Sequence, residues 1–337
     1  MEEKININNI RIFTHSSDMD GQTCSIIVQK FIKENLYDSV FTSNLKSGID
    51  REIIYYPVNY NEYNFEDIQS LYRNNKNYLT IIADFSFNKD EMFWLFANSA
   101  QMIWADHHET AIPTYDTLMN FAVKNKHSIS RHYNDHTKLI TGFDKHNLTS
   151  GCFLLYNLLF NSNMPEIITY ISNADVGIYN NLNEQHIMAY LKNTDVNFVL
   201  TELIINSNNE LLENIKMHGK LIFQNYLTKY KYDKSIAYIT KFQGHRVALV
   251  AISKQSGYLS FLLNNLSKEI AGYSMTYYDN LSNKTRHFSL RSANDIDVSR
   301  IAIKYGGGGH KNSAGFIIPL NNGIKLVNEI LNGEEIK

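Results

Sequence analysis

The chain has 337 residues, long enough for two domains that each bury a hydrophobic core. Aliphatic and aromatic residues make up 44% of it, a globular composition that excludes a disordered or fibrous protein. The formal net charge is −2, with seven more acidic than basic residues over 1–234 and five more basic than acidic over 235–337. Either a chance distribution of surface charge or a cation-binding domain followed by an anion-binding domain would produce this division.

The two cysteines, Cys24 and Cys152, are far apart and fit neither a disulfide framework nor a zinc-ligand spacing. This usage predicts a reducing, cytoplasmic location. Residues 1–10 lack a basic stretch followed by an apolar one, so no signal peptide is expected. No window approaches ~18 consecutive apolar residues, so we also expect no membrane span.

Apolar runs alternate with amphipathic segments over the first third of the chain. This pattern predicts strands at 11–15, 53–58, 78–84 and 102–105 and helices at 22–35 and 88–98. Pro57 confines the second strand to an end or an edge of its sheet. Strands that alternate with helices predict an α/β fold with a mostly parallel sheet and helices on both faces.

Helical patterns dominate the middle of the chain, at 150–160, 165–173, 184–193 and 208–230. Thr149 or Ser150 can cap the first of these helices, and the last is long enough to connect two domains. Further strands are predicted at 236–240, 247–253, 273–278 and 287–291, with a helix at 259–266. The predicted organisation is therefore a first domain over 1–207, a connecting helix over 208–234, and a smaller α+β domain over 235–337.

Acidic residues follow three of the predicted strands of the first domain. Asp18 and Asp20 come after the first strand, while Asp84 and Asp106 end the third and the fourth. Ligands bind beyond the carboxyl ends of the strands in an open parallel sheet, so these side chains should gather at one edge. Their mutual repulsion would amount to roughly several kcal/mol without cations.

Two divalent cations would turn that repulsion into coordination. A set of carboxylates and imidazoles suits manganese or a similar ion better than the thiolate-rich sites of structural zinc. Each motif alone has a simpler interpretation: a turn or helix cap for Asp18-x-Asp20, a strand end for Asp84, and a solvated loop for Asp106-His107-His108. Their joint occurrence at successive strand ends favours a metal centre.

Four consecutive glycines, Gly306–Gly309, precede His310 and Lys311. Such a run costs roughly 1 kcal/mol per residue relative to Ala in a regular element. It predicts a loop whose backbone N–H groups approach an anion, with His310 and Lys311 adding charge. A flexible linker is the alternative, but apolar residues at 301–305 and 316–320 flank the run.

These motifs resemble those of a known family. His15, Asp18-x-Asp20, Asp84, Asp106-His107-His108 and Asp175 look like the four motifs of the DHH phosphoesterases, and Gly306–His310 looks like the GGGH motif of the DHH-associated C-terminal domain. The second motif separates this group from family II inorganic pyrophosphatases. The nano-RNase and RecJ-like members are most similar in organisation. The resemblance implies an active site in the cleft between the two domains.

The resemblance also implies individual roles. The implied metal ligands are His15, Asp18, Asp20, Asp84, His107 and Asp175. His15 and Asp18 would bind one ion, Asp20, His107 and Asp175 would bind the other, and Asp84 would bridge them. Asp106 would accept a proton from His107 and orient its ring, while His108 would face the scissile phosphate. The implied substrate-binding residues are Arg291, Ser292, Gly306, Gly307, Gly308, Gly309, His310 and Lys311. Of these, His310 and Arg291 would also act in catalysis.

The expected function is a phosphodiesterase that uses two divalent metal ions, Mn²⁺ with Mg²⁺ or Co²⁺ as alternatives, and releases nucleoside 5′-monophosphates from short RNA or DNA oligonucleotides. Alternative substrates are cyclic or linear dinucleotides such as cyclic di-AMP and pApA, or 3′-phosphoadenosine 5′-phosphate. A RecJ-like exonuclease is less favoured because the chain lacks a strong basic excess. A catalytically silent nucleotide-binding module is a further alternative. No membrane partner is expected, and a homodimer stays open.

Four tyrosines lie in and after the second predicted strand: Tyr55, Tyr56, Tyr60 and Tyr63. They could stack on bases, as aromatic residues of single-strand-binding proteins do. Burial against a neighbouring helix is the alternative, and the sequence leaves both open.

Overall fold

The computed structural model describes residues 5, 7, 9–36, 52–60, 62–72, 77–178, 181–252, 256–293 and 295–333. The chain divides into two compact units, Met1–Met217 and His218–Lys337. This division falls inside the long helix Asn209–Ser235, the segment predicted to connect the domains. The predicted boundaries at 207 and 234 stay a prediction. Among the described helices, none has the length and the apolar character that a membrane span requires.

The strands of the first unit are β1 (Asn9–His15), β2 (Ile53–Val58), β3 (Tyr78–Ala83), β4 (Gln101–Asp106), β5 (Ile129–Ser130) and β6 (Leu139–Phe143). They form one six-stranded sheet in the order β2-β1-β3-β4-β6-β5, and every neighbouring pair is parallel. The first four strands and the edge position of β2 confirm the prediction, whereas β5 and β6 were not predicted.

The helices of the first unit are α1 (Met19–Phe31), α2 (Phe65–Ser70), α3 (Lys89–Asn98), α4 (Ile112–Lys124), α5 (Gly151–Leu159), α6 (Glu166–Asp175), α7 (Leu182–Leu191) and α8 (Val196–Leu200). π-Helical turns extend α1 over Ile32–Leu36 and α8 over Thr201–Ile205, and a 3₁₀ turn spans Glu109–Ala111. Of these helices, α2, α4 and α8 were not predicted.

Side chains of the sheet alternate between two buried cores. Ile12 of β1 belongs to a core formed with α1 and α5 on one face, whereas Phe13 belongs to a core formed with α3 and α4 on the other. Both faces of the sheet are therefore covered by helices, as the alternating strand and helix patterns predict.

Strands β1, β3 and β4 lie side by side with their carboxyl ends level. Thr14 is paired with Ala83, and Ala83 is paired with Ala105. The residues that follow these positions, His15, Asp84 and Asp106, therefore leave the sheet at one edge. This register is the basis of the site described below.

The second unit is a mixed sheet with helices. After the long helix α9 (Asn209–Ser235), its elements are β7 (Tyr238–Phe242), β8 (His245–Ala251), α10 (Ser256–Glu269), β9 (Tyr273–Asn280), β10 (Thr285–Ser292), α11 (Val298–Ile303), β11 (Gly308–His310), β12 (Ser313–Pro319) and α12 (Leu320–Leu331). The sheet order is β11-β12-β10-β9-β8-β7, with β8 and β9 parallel and the other neighbours antiparallel. This confirms the smaller α+β part of the predicted fold.

Candidate metal centre

Carboxylates and imidazoles converge at the carboxyl edge of the parallel sheet. Three groups have ligand atoms that all lie within 4.8 Å of one another: His15 with Asp18 and Asp84, Asp20 with His107 and Asp175, and Asp84 with His107 and His108. The structure thus brings together all six residues that the motifs single out as metal ligands. Asp84 belongs both to the group with His15 and Asp18 and to the group with His107 and His108, and so links them.

The first group forms where α1 begins. Asp18 uses Oδ1 to accept the backbone N–H of Gly21 at 2.9 Å, which caps α1, and its Oδ2 lies 2.7 Å from His15 Nδ1. Burial would raise the pKa of Asp18, but the contact with His15, the Gly21 hydrogen bond and the charge of His108 together outweigh burial and lower the pKa to about 2. Asp18 is therefore both a helix cap and an anion that faces the cluster. The imidazole Nε2 of His15 lies 2.8 Å from Ser17 Oγ.

Asp84 is the central carboxylate and is only 1% exposed. Its backbone has a φ of 55°, a left-handed conformation that costs on the order of 1–3 kcal/mol in a non-glycine residue. A hydrogen bond from its N–H to the Ala105 carbonyl at 2.9 Å holds it there. Burial, and then the nearby carboxylates of Asp20 and Asp18, raise the pKa of Asp84 well above its ordinary value.

One carboxylate oxygen in this cluster is left without a hydrogen bond. Asp84 Oδ2 is buried, lies 3.6 Å from His15 Nδ1, and finds no hydrogen-bond partner among the described residues. Buried polar atoms are normally paired, so an unpaired acceptor facing an imidazole nitrogen calls for an additional group. A divalent cation fits, because carboxylate oxygen and imidazole nitrogen are both ligands of such ions.

Asp20 is held by the N-terminus of α5. Its Oδ1 accepts hydrogen bonds from Ser150 Oγ at 2.6 Å and Cys152 N at 3.0 Å, and its Oδ2 accepts one from Gly151 N at 2.8 Å. These bonds and the positive end of the helix dipole offset part of the repulsion from neighbouring carboxylates. Oδ2 also lies 4.0 Å from His107 Nε2.

Gly151 fills the narrow space between the two central carboxylates. A Cβ atom there would lie 2.6 Å from Asp84 Cβ and 3.0 Å from Asp20 Oδ2. No side chain fits at this position without displacing one of the two aspartates.

His107 turns Nε2 towards the carboxylates, 3.3 Å from Asp84 Oδ1 and 3.4 Å from Asp175 Oδ2. Its other ring nitrogen, Nδ1, lies 2.7 Å from Asn147 Oδ1. This corrects the expectation that Asp106 orients the His107 ring. Asp106 instead accepts the backbone N–H of His107 at 2.7 Å, because its side chain folds back over the residues that follow the strand.

Asp106 pairs with the next histidine. Its Oδ1 lies 2.7 Å from His108 Nδ1, and Ser86 Oγ donates a hydrogen bond to its Oδ2. Burial would lower the pKa of His108, but the charge and hydrogen bond of Asp106, together with the charges of Asp175 and Asp18, outweigh burial and raise the pKa to about 9. His108 is therefore a cation at neutral pH, with Nδ1 4.0 Å from Asp84 Oδ1. Such a cation beside the cluster can bind an anionic group.

The loop that carries Asn147 is organised by Asp144. The Asp144 carboxylate accepts the backbone N–H groups of His146, Leu148 and Thr149 at 2.8–2.9 Å, and the Thr149 hydroxyl at 2.9 Å. These bonds hold Asn147 in a left-handed conformation with a φ of 52°. Asp144 thus acts on the site through Asn147.

Sequence reasoning missed Asn147, Gly151 and Ser86. One signal was available, because Ser150 is one of the two helix caps that the sequence allows and helix N-termini attract anions. Its hydroxyl donates to Asp20 and accepts no capping hydrogen bond from the N–H groups of its own helix. The roles of Asn147 and Ser86 depend on contacts across 40 and 20 residues, for which the sequence carries no local signal.

The substrate-binding residues predicted for the second unit lie at one end of its sheet. Ser313 is paired with Arg291 on one side and with His310 on the other, which aligns three neighbouring strands. Ser292, the last residue of β10, is 3% exposed, and its N–H donates to the Asn312 carbonyl at 3.0 Å. Lys311 Nζ lies 3.6 Å from Asp295 Oδ1.

The glycine run differs from the predicted loop. Gly308 and Gly309 belong to β11, the edge strand beside β12. Glycine is required because β12 approaches closely: a Cβ at Gly307 would lie 2.1 Å from the Gly315 carbonyl oxygen. A Cβ at Gly308 would meet nothing within 4 Å, and Gly306 has a φ of 79°.

Comparisons with known proteins bear on both units. Residues 236–333 match the model of the DHHA1 domain. The uncharacterized protein R106 of Acanthamoeba polyphaga mimivirus is 24% identical over 246 residues, which cover 72% of this chain and 53% of the relative. The chain thus spans about half the length of that curated relative.

Two solved structures are similar over nearly the whole chain. The pGpG-specific phosphodiesterase PggH of Vibrio cholerae has a TM-score of 0.46 at 13% identity, covering 96% of this chain and 97% of that chain. RecJ of Thermus thermophilus in complex with Mn²⁺ has a TM-score of 0.45 at 11% identity, covering 98% and 53%. The family match itself identifies residues 236–333 as similar to the DHHA1 domain, and this range contains Arg291 and the glycine run.

Proposed function

We propose that this protein is a DHH-family phosphoesterase that hydrolyses phosphodiester bonds of short oligonucleotides and releases nucleoside 5′-monophosphates. The observation that carries the proposal is the convergence of five other predicted ligand residues around Asp84, whose Oδ2 is buried without a hydrogen-bond partner in the described part of the chain. The DHHA1 match of residues 236–333 supports it independently, because it lies in the other unit.

The centre would hold two divalent cations, with Mn²⁺ as the proposed ion. His15 and Asp18 would bind one, while Asp20, His107 and Asp175 would bind the other, with Asp84 shared between them. Bound in such a site, divalent cations supply the charge that activates a water and neutralises a phosphoryl group. Asn147 keeps Nε2 of His107 directed at the carboxylates by binding its Nδ1.

His108 is the residue of this unit that would contact the scissile phosphate. Its paired Asp106 keeps the imidazole charged, so the ring can donate a hydrogen bond to a phosphoryl oxygen as negative charge develops there. In the second unit, Arg291, Ser292, His310, Lys311 and the backbone of Gly306–Gly309 would bind another phosphate of the substrate. Arg291 and His310 would also stabilise charge in the transition state.

Cyclic or linear dinucleotides and 3′-phosphoadenosine 5′-phosphate are alternative substrates of the same centre. A RecJ-like exonuclease that binds long single strands is less well supported, because residues 235–337 carry a surplus of only five basic residues. A catalytically silent nucleotide-binding module is disfavoured by the buried carboxylates, whose repulsion would have no use in a protein that binds nucleotides without metals.

The test is an activity survey with purified protein in Mn²⁺, Mg²⁺, Co²⁺ or EDTA. Substrates would be a five-nucleotide RNA, pApA, cyclic di-AMP, 3′-phosphoadenosine 5′-phosphate and long single-stranded DNA. We expect cleavage of the short RNA with Mn²⁺, loss of cleavage in Asp84→Asn, and wild-type cleavage in Glu109→Gln, an exposed control in the same segment. The enzyme assignment fails if no substrate is cleaved and Asp84→Asn binds Mn²⁺ as tightly as the wild type in calorimetry. Cleavage of long DNA alone would overturn the short-substrate assignment.

A further inference from the structure

A cavity of about 700 Å³ in the first unit adjoins the candidate metal centre. The two share Tyr60, which lines the cavity and whose ring centroid lies 5.7 Å from the ring centroids of both His15 and His108. Ser86, which donates to Asp106, also lines it. A phosphate bound beside His108 would therefore be separated from the cavity only by the ring of Tyr60.

The aromatic walls of the cavity are held by other rings behind them. Tyr60 stacks on the buried Phe85 with a centroid distance of 4.4 Å, and its hydroxyl oxygen accepts the Ser86 N–H at 3.4 Å. Tyr63 and Phe87 meet edge to face at 5.2 Å, and Phe87 is 2% exposed. The faces offered to a ligand are therefore already in place.

The polar groups of the cavity carry no net formal charge, since Lys89 and Glu91 are its charged lining residues. The Glu91 carboxylate is already engaged, because Oε2 accepts the Tyr63 hydroxyl at 2.7 Å and the Asn88 N–H at 3.0 Å. Asn88 and Asn64 use Oδ1 to cap helices α3 and α2. Their side-chain NH₂ groups are the donors that these residues can offer a ligand.

Aromatic walls, amide donors and a balanced charge suit a flat, uncharged heteroaromatic ring better than a phosphate. We propose that this cavity binds the base of a nucleoside esterified to the scissile phosphate, with the base stacked on Tyr60. The inference rests on the proposed function and adds a specificity site to it. The preferred substrates would carry a nucleoside at this ester position rather than a small alcohol.

Binding can be tested without catalysis, by titrating adenosine in EDTA with saturation-transfer NMR. Tyr60→Ala should weaken adenosine binding about tenfold, since loss of one base–aromatic stack costs that order of affinity. Thr114→Trp, which fills the cavity from α4, should do the same, whereas Tyr60→Phe keeps the ring and should bind normally. Asn120→Trp adds the same side chain at an exposed site on α4 and is the matched control.

Circular dichroism and thermal unfolding of each variant would establish that it is folded. The proposal is overturned if wild-type protein shows no saturation transfer to adenosine, or if folded Tyr60→Ala and Thr114→Trp bind adenosine as the wild type does. Neither outcome depends on hydrolysis, so this test of the cavity is independent of whether the proposed function is correct.

Hydrolysis then identifies which nucleoside the cavity binds. The substrates would be the dinucleotide ApA and two esters with a single nucleoside, the 3′-methylphosphate and the 5′-methylphosphate of adenosine. With Mn²⁺, Thr114→Trp should lower kcat/KM at least tenfold for ApA and for one of the two methyl esters. For the other methyl ester, kcat/KM should change less than twofold. Equal losses for both esters would contradict a base-binding cavity. If the wild type cleaves none of the three substrates, the result counts against the proposed function instead. The adenosine titration would still show whether the cavity binds a base.

Discussion

Asn147 Oδ1 lies 2.7 Å from His107 Nδ1, and this contact determines which ring nitrogen faces Asp84 and Asp175. Partners that orient a metal-binding histidine typically contribute 10–100-fold to metal affinity or activity, so we expect about this loss in Asn147→Gly. Glycine removes the side chain and still tolerates the φ of 52°. Calorimetric titration with Mn²⁺ and the kcat for the short RNA would measure the effect.

Lys126→Gly is the matched control for that variant. Lys126 has a φ of 56° and is exposed at the end of α4, so the same replacement occurs at a similar backbone conformation. Its Mn²⁺ affinity should stay within twofold of the wild type. Equal behaviour of the two variants would show that Asn147 has no orienting role.

Asp84→Asn should change stability and activity in opposite directions. In EDTA the substitution removes a buried carboxylate from a group of like charges, so the free energy of unfolding should rise by about 1–3 kcal/mol. Asparagine also tolerates the left-handed backbone at this position. Added Mn²⁺ should raise the melting temperature of the wild type much more than that of the variant. The exposed Asp195→Asn is the control, and a less stable Asp84→Asn in EDTA would contradict the expected repulsion.

Gly151→Ala should damage the centre without replacing any of the proposed ligand residues. Its Cβ would lie 2.6 Å from Asp84 Cβ, and overpacking of this kind costs about 1–3 kcal/mol. We therefore expect a lower melting temperature in chemical and thermal unfolding together with weaker Mn²⁺ binding. Gly308→Ala, where a Cβ meets nothing within 4 Å, should unfold at the wild-type temperature. Wild-type stability and Mn²⁺ affinity in Gly151→Ala would contradict the close approach.

The Asp144 loop should make part of the stability pH-dependent. Burial opposes ionisation of Asp144, but hydrogen bonds from the loop outweigh burial and lower its pKa. A lowered folded-state pKa contributes stability above the unfolded pKa of about 3.9, and this contribution is lost as the pH falls through the lower folded pKa. The free energy of unfolding of the wild type should therefore exceed that of Asp144→Asn by about 1–2 kcal/mol at pH 7, and this difference should disappear below about pH 4. Urea unfolding across pH would measure it. The exposed Asp67→Asn should show no such gap, and a gap independent of pH would contradict the ionised cap.

The sequence predicted the part of the centre that depends on strand ends. His15, Asp84 and Asp106 each follow an apolar run, and parallel strands in one sheet bring such positions together. It did not predict β6, because Leu139–Phe143 is short and contains Gly142, which weakens its strand pattern.

Other features of the centre depend on contacts that have no local pattern. The Asn147–His107 contact joins positions 40 residues apart, and neither residue type at that spacing indicates it. Likewise, the glycine run predicted a loop whose backbone N–H groups approach an anion, whereas here the backbone of β12 approaches Gly307 and Gly309 too closely for a Cβ. Close approach between strands is a property of the packed chain rather than of its composition.

The hydrogen bond from Ser150 Oγ to Asp20 spans 130 positions of the chain and has a consequence for how the centre assembles during synthesis. A chain emerging from the ribosome presents Asp20 long before the amides of Gly151 and Cys152 that bind it. The centre therefore cannot form on β1 and β3 alone. Because its proposed ligands run from His15 to Asp175, a cation bound there would close a loop of most of the first unit and couple metal affinity to the folding of that unit as a whole.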